Sequence, residues 1–197
     1  MMSRVCSRYM VVFLLIMATG LSLSSFQVLA KESVEEKREK IREMATETLA
    51  KLYELQPSAK TAINKSAGYA VFSNFGLKIL VLGSGKGQGI AVNKKTGKKT
   101  FMKMLELQGG LGFGIKRFRV VFVFENEGVL NEFINSGWEF GGQTTAAAKL
   151  DDEGGAFAGA VTVSPGVRIY QITEDGLALE LTVKGTKYMK DDKLNKN

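Results

Sequence analysis

The side chains best placed for chemistry in this 197-residue chain are cations. Lys94, Lys95, Lys98 and Lys99 crowd six residues around Gly97, and Lys116, Arg117 and Arg119 make a second cluster around Phe118. Residues 78–119 hold ten basic side chains against one acid, Glu106, for a net of +9. Such clusters attract lipid headgroups or polyanions, at roughly 1 kcal/mol per basic residue close to an anionic surface. The lysines fall in a loop whose flanking strands are apolar, so their ammonium groups are expected to stand free in water at the tip. Lys116, Arg117 and Arg119 are expected to extend the same anion- or lipid-binding surface, with only Glu106 opposing it.

Other chemistries lack their residues. The chain has no histidine, and its one cysteine, Cys6, lies close to the N-terminus. The usual general bases, thiol nucleophiles and most zinc sites are therefore missing. Asp151-Asp152-Glu153 precedes two glycines and reads as an exposed turn, and Asp191-Asp192 lies in a charged tail. No serine sits in a G-x-S-x-G elbow. Gly83-Ser-Gly-Lys-Gly-Gln-Gly89 invites comparison with phosphate cradles. The dinucleotide fingerprint would need glycine at Gln88, and the P-loop would need Ser or Thr at Gly87. No enzyme activity, cofactor, metal or nucleic-acid partner is expected.

The glycines fit packing better. A strand repeats every two residues, so Gly83, Gly85, Gly87 and Gly89 share one face, and Gly110, Gly112 and Gly114 repeat the pattern. A face without side chains admits a bulky ring or another backbone and permits strong bending, which lets a sheet curl toward a barrel.

The elements that must position these residues follow from periodicity. Residues 32–54 read as a helix with Ile41, Met44, Ala45, Leu49, Leu52 and Tyr53 on one side. Its polar side mixes Glu with Lys, which favours packing on its own domain over lying on an anionic membrane. Pro57 ends it, and residues 58–65 make a second short helix. Strands follow from Gly68. Asn93 to Lys98 is a hairpin loop, and Arg119-Val-Val-Phe-Val-Phe124 is a run covered on both faces. Asn126 caps an inserted helix that stops at Gly137. Residues 167–173 and 177–183 flank Glu174-Asp175-Gly176, a hairpin signal. The tail beyond Tyr188 is expected to be frayed or edge-packed. The fold class is α+β: a strongly curved, barrel-like, glycine-rich antiparallel sheet with N-terminal helices and one inserted helix.

Residues 1–30 carry a different signal. Arg4 and Arg8 precede an apolar run from Met10 to Met17, and Val28-Leu29-Ala30 supplies a cleavage site. This is a secretory signal peptide, because the run is shorter than the ~20 residues of a membrane span. Cys6 is not at the cut, so the product is not a lipoprotein. The mature chain, residues 31–197, is expected to be one domain: an N-terminal helix to 56, a helix-plus-β core over 57–190 and a tail over 191–197. Its expected place is the periplasm or cell envelope.

Ser66-Ala-Gly-Tyr-Ala-Val-Phe72, the glycines of 83–89 and of 109–114, Val129-Leu-Asn-Glu-Phe-Ile-Asn-Ser-Gly-Trp-Glu-Phe-Gly141 and Gly185-Thr-Lys-Tyr188 occur in that order. Together they resemble the SYLF domain, also called the YSC84-type domain, over roughly residues 45–195. The resemblance implies a lipid-binding module that contacts lipid through an N-terminal amphipathic helix and basic patches. On this chain those are the helix around Ile41 to Tyr53 and the Lys94–Lys99 hairpin. Export points to anionic phospholipid of the envelope as ligand. The alternative is a structural protein whose ligand is another envelope protein.

Overall fold

The computed structural model describes residues 32–79, 82–109, 114–140, 149–150, 159–173, 176–178 and 185–196. The segment expected to be a signal peptide, Gly110 and Gly112, and the Asp151–Glu153 cluster lie outside them, as do Glu174 and Asp175 of the Asp-Gly hairpin and most of the strand expected to follow it. Among the described residues no helix is long and apolar enough to cross a membrane.

The first helix, α1 (Val34–Leu55), begins at a capping box. The Ser33 hydroxyl accepts from the Glu36 N–H at 3.1 Å, and the Glu36 carboxylate accepts from the Ser33 N–H at 2.8 Å. Two of the donors that a helix start leaves unpaired are thus satisfied. After Gln56 and Pro57 comes α2 (Ser58–Lys65). Four long strands follow as a meander and its neighbour: β1 (Gly68–Ile79), β2 (Leu82–Asn93), β3 (Lys99–Gly109) and β4 (Gly114–Phe124). Helix α3 (Glu127–Ser136) starts where the Asn126 side chain accepts from the Val129 N–H and stops at Gly137, whose φ of 73° favours glycine. The remaining elements are β5 (Trp138–Phe140), β6 (Lys149–Leu150), β7 (Val161–Ser164), β8 (Val167–Thr173), β9 (Gly176–Ala178), β10 (Thr186–Lys190) and α4 (Asp192–Asn195).

The strands form one antiparallel sheet in the order β5-β10-β3-β2-β1-β4-β8-β7-β6, with β9 also on β8. It curls strongly into a half-barrel, so the α+β class and the curved sheet expected from the glycines are what the chain forms. The central β4 is buried on both faces from Val120 to Phe124, which explains its unbroken apolar run.

Each face has its own core. One face carries α3: Phe72, Phe122, Phe124, Phe133 and Tyr188 pack there, with Phe72 and Phe122 edge-on to Tyr188 at 4.7 and 4.9 Å between centroids. The other carries α1, whose Ile41, Ala45 and Leu52 join Val71, Ile90, Val121, Val123 and Tyr170. The apolar side of α1 is thereby committed to its own domain. Its polar side is laced by ion pairs, with Arg42 bridging Glu35 and Glu39 at 2.9 and 2.7 Å. Hydrogen bonds from Arg42, and then from Arg38, hold the Glu35 carboxyl below the usual carboxylate range.

The tail is docked. Leu194 is buried, the Asn195 side chain exchanges two hydrogen bonds with the Phe101 backbone at 3.0 and 2.7 Å, and Arg38 donates to the carbonyls of Leu194 and Lys196.

Candidate functional site

The basic residues expected to form one surface are divided by the fold. The hairpin loop closes on Gly97, at φ 69°, with the Asn93 side chain accepting from the N–H groups of Lys95 and Thr96. Lys94 does not stand free at its tip. Its ammonium donates to the carbonyls of Ile63, Asn64 and Ser66, at the C-terminal end of α2. A cation there satisfies orphan carbonyls and complements the helix dipole, so this lysine is structural. Lys95 reaches Glu127, the first residue of α3, at 3.2 Å. Lys98 and Lys99 are exposed and have no ion pair among the described residues.

The second cluster sits at the other end of the sheet. Lys99 shares a row with Val92, Tyr69 and Val123, whereas Arg117 shares one with Phe75. Six residues of β4 separate those rows, roughly 20 Å at strand rise. Arg119 lies between them and is engaged by α1, with the Glu47 carboxylate at 3.2 Å and the Thr48 hydroxyl at 3.2 Å. Arg117 is exposed, its guanidinium 5.5 Å from the centre of the Phe75 ring. Lys116 is a β4 residue opposite Gly76. Beside Arg117 a cleft of about 630 Å³ opens, with Lys51, Ser73, Phe75, Arg117, Arg119 and Thr173 in its wall. Its cationic wall could accept an anionic group, with Phe75 supplying an apolar side.

The chain is similar to Beta cell expansion factor A of Aeromonas veronii. The two are 36% identical over 170 residues, which cover 85% of this chain and 62% of the relative. The chain thus spans less than two thirds of the length of that Aeromonas veronii relative. No family model matches.

Glu106 was expected to oppose the basic surface, and it does not. It is 1% exposed on the α3 face, away from the cations of the α1 face, and its carboxylate accepts from the Asn74 amide. Thr186 stands opposite it on β10 and Gly85 opposite it on β2. A Cβ on Gly85 would lie 2.8 Å from the Glu106 carboxylate and 2.9 Å from the Asn74 side-chain oxygen. Burial pushes the phenol of nearby Tyr188 well above its ordinary range, and the Glu106 charge adds to that. The cluster is a polar island in an aromatic core, where a buried polar group needs hydrogen-bond partners close by.

The stripe of glycines belongs to packing, as the period-two spacing requires. A Cβ on Gly89 would meet the Phe72 ring at 2.3 Å and the Val71 carbonyl at 2.4 Å, and one on Gly87 would meet the Ser73 carbonyl at 2.6 Å. The space that glycine vacates is filled by a neighbouring ring and by adjacent backbone, leaving none for a phosphate.

Proposed function

We propose that this chain is an exported, non-enzymatic lipid-binding module of the SYLF type, which contacts anionic phospholipid of the cell envelope reversibly through basic surface. The observation that carries the reading is the contrast in how cations are used. The arginines of α1 are held by carboxylates, yet Lys86, Lys103 and Arg117, on the same face of the sheet, have no ion pair among the described residues. Charge left unneutralised on one part of a surface draws an anionic partner. The ordered SYLF-like motifs support the lipid class.

Vesicle cosedimentation tests this. The protein is expected to bind equimolar phosphatidylcholine–phosphatidylglycerol vesicles, to ignore phosphatidylcholine alone, and to let go as salt rises, because surface charge is screened over about 10 Å at 0.1 M. Indifference to all vesicles at low salt refutes the reading and favours an envelope protein as partner.

A further inference from the structure

Helix α1 covers only part of its face of the sheet. Its buried side chains pack over the rows of Val71 and Val123, and its Glu47 and Thr48 reach as far as Arg119, in the row of Ser73. Beyond that row the register aligns five residues on five adjacent strands: Lys187 on β10, Leu105 on β3, Lys86 on β2, Phe75 on β1 and Arg117 on β4. Cation and apolar side chain alternate across the sheet. Phe75 is 51% exposed and Leu105 43%, and Leu107, two residues farther along β3, is 74% exposed. Lys103 lies on the same side, two residues before Leu105. Four interstrand steps make the row about 19 Å long, and Leu107 widens the patch by about 7 Å.

Single exposed apolar residues are ordinary on a protein surface, but three large ones on one sheet face, two of them flanked by cations on the neighbouring strands, form a mixed surface. The identity of the occupant follows from charge. A second copy docking by the same face would set Lys86, Lys103 and Arg117 near their own counterparts, and like charges repel. An anionic bilayer satisfies both halves of the pattern: headgroups meet the cations, and the acyl boundary takes Phe and Leu.

We infer that the end of the sheet face left bare by α1 is the membrane-docking surface, with Phe75, Leu105 and Leu107 entering the headgroup–acyl boundary and Lys86, Lys103 and Arg117 on the headgroups. This rests on the lipid-binding reading and transfers the principal contact from the Lys94–Lys99 hairpin to the opposite end of the sheet.

The test compares the full mature chain with two variants on equimolar phosphatidylcholine–phosphatidylglycerol vesicles. Phe75→Ser/Leu105→Ser/Leu107→Ser is expected to lose at least about tenfold in affinity, while Lys98→Gln/Lys99→Gln changes it less than about threefold, both with thermal melts close to the parent. A Phe75→Trp reporter gives a second readout that does not depend on the triple variant folding. Its emission is expected to shift to the blue on vesicles and to be quenched by brominated lipid. If the parent binds and either the triple variant binds equally or the reporter stays unquenched, the docking face is wrong and the lipid reading stands. If the parent binds no vesicle, both fall.

Discussion

Strand β2 presents opposite solutions on its two faces. Toward α3 it offers Gly85, Gly87 and Gly89, all buried; toward α1 it offers Ser84, Lys86 and Gln88, all exposed. On the first face an added Cβ would meet backbone carbonyls at Gly87 and Gly89 and movable side-chain ends at Gly85, so its tolerance for added atoms is small and differs from one glycine to the next. The second has no such neighbours and can vary in composition without disturbing the strand. One strand therefore carries tight packing and open surface on successive residues, and a substitution's effect depends on residue parity before residue type.

The largest expected effect breaks the closed face. Gly89→Val forces a side chain into the Phe72 ring and a backbone carbonyl together, neither of which can retreat cheaply. We expect a loss of more than ~3 kcal/mol, or no folded protein, against ~1–3 kcal/mol for ordinary overpacking. Gly85→Ala meets only the ends of Glu106 and Asn74, which can move, and is expected near ~1 kcal/mol. Urea titrations of the two variants rank them, and an equal or reversed ranking would show that the packing argument is mistaken.

Next in size is the polar island. Glu106→Leu leaves the buried Asn74 amide without the acceptor it now uses, at a cost of ~1–3 kcal/mol. Adding Asn74→Leu is expected to recover much of that loss, because two apolar groups strand no donor. A double-mutant cycle by urea unfolding checks it, and additive losses would mean that the two residues act independently.

A smaller effect separates lysines within the hairpin. Lys94→Gln removes the cation from the end of α2 and is expected to cost about 0.5–1 kcal/mol, whereas Lys98→Gln is expected to be close to neutral. Thermal melts of the pair decide, and identical melts would return Lys94 to the solvated set.

The smallest effect is absent at neutral pH. An unfolded chain releases the Tyr188 proton near the ordinary phenol pKa of ~10, while the folded chain keeps it because its value is raised. The unfolded state then binds fewer protons, so stability falls as pH rises past ~10. Tyr188→Phe is expected to flatten that part of the stability-against-pH curve; an unchanged slope would mean that the phenol ionises in place.

Much of this architecture was legible. Asn126, Gly137, Pro57 and the Asn93–Lys98 loop announce themselves through capping and turn chemistry, which is local. The parity of the glycines is local too. What escaped depends on partners far away in sequence. Lys94 looks like its neighbours until α2 is seen to end beneath it. Strand β3 has apolar residues on both parities, Phe101, Leu105 and Leu107 against Met102 and Met104, so alternation gave no means of deciding that Glu106 points into a core and Leu107 into water. The separation of Lys99 from Arg117 is a matter of register, which no composition count contains. The Ser33–Glu36 capping box is local as well, a serine followed three residues later by a glutamate.

The position of β10 between β5 and β3 bears on how the molecule is made. Strands β1 to β3 can pair as soon as they are synthesised, but the slot beside β3 is filled by residues 186–190, some eighty positions later. Until that segment arrives, β3 is an open edge with unpaired amides and the apolar side chains of Phe101, Leu105 and Leu107 beside it. Edges of this kind recruit other chains. Assembly therefore has a window of vulnerability that closes late, and conditions that delay the arrival of β10, such as crowding of nascent copies, are expected to divert the chain into aggregates while leaving the finished fold's stability untouched.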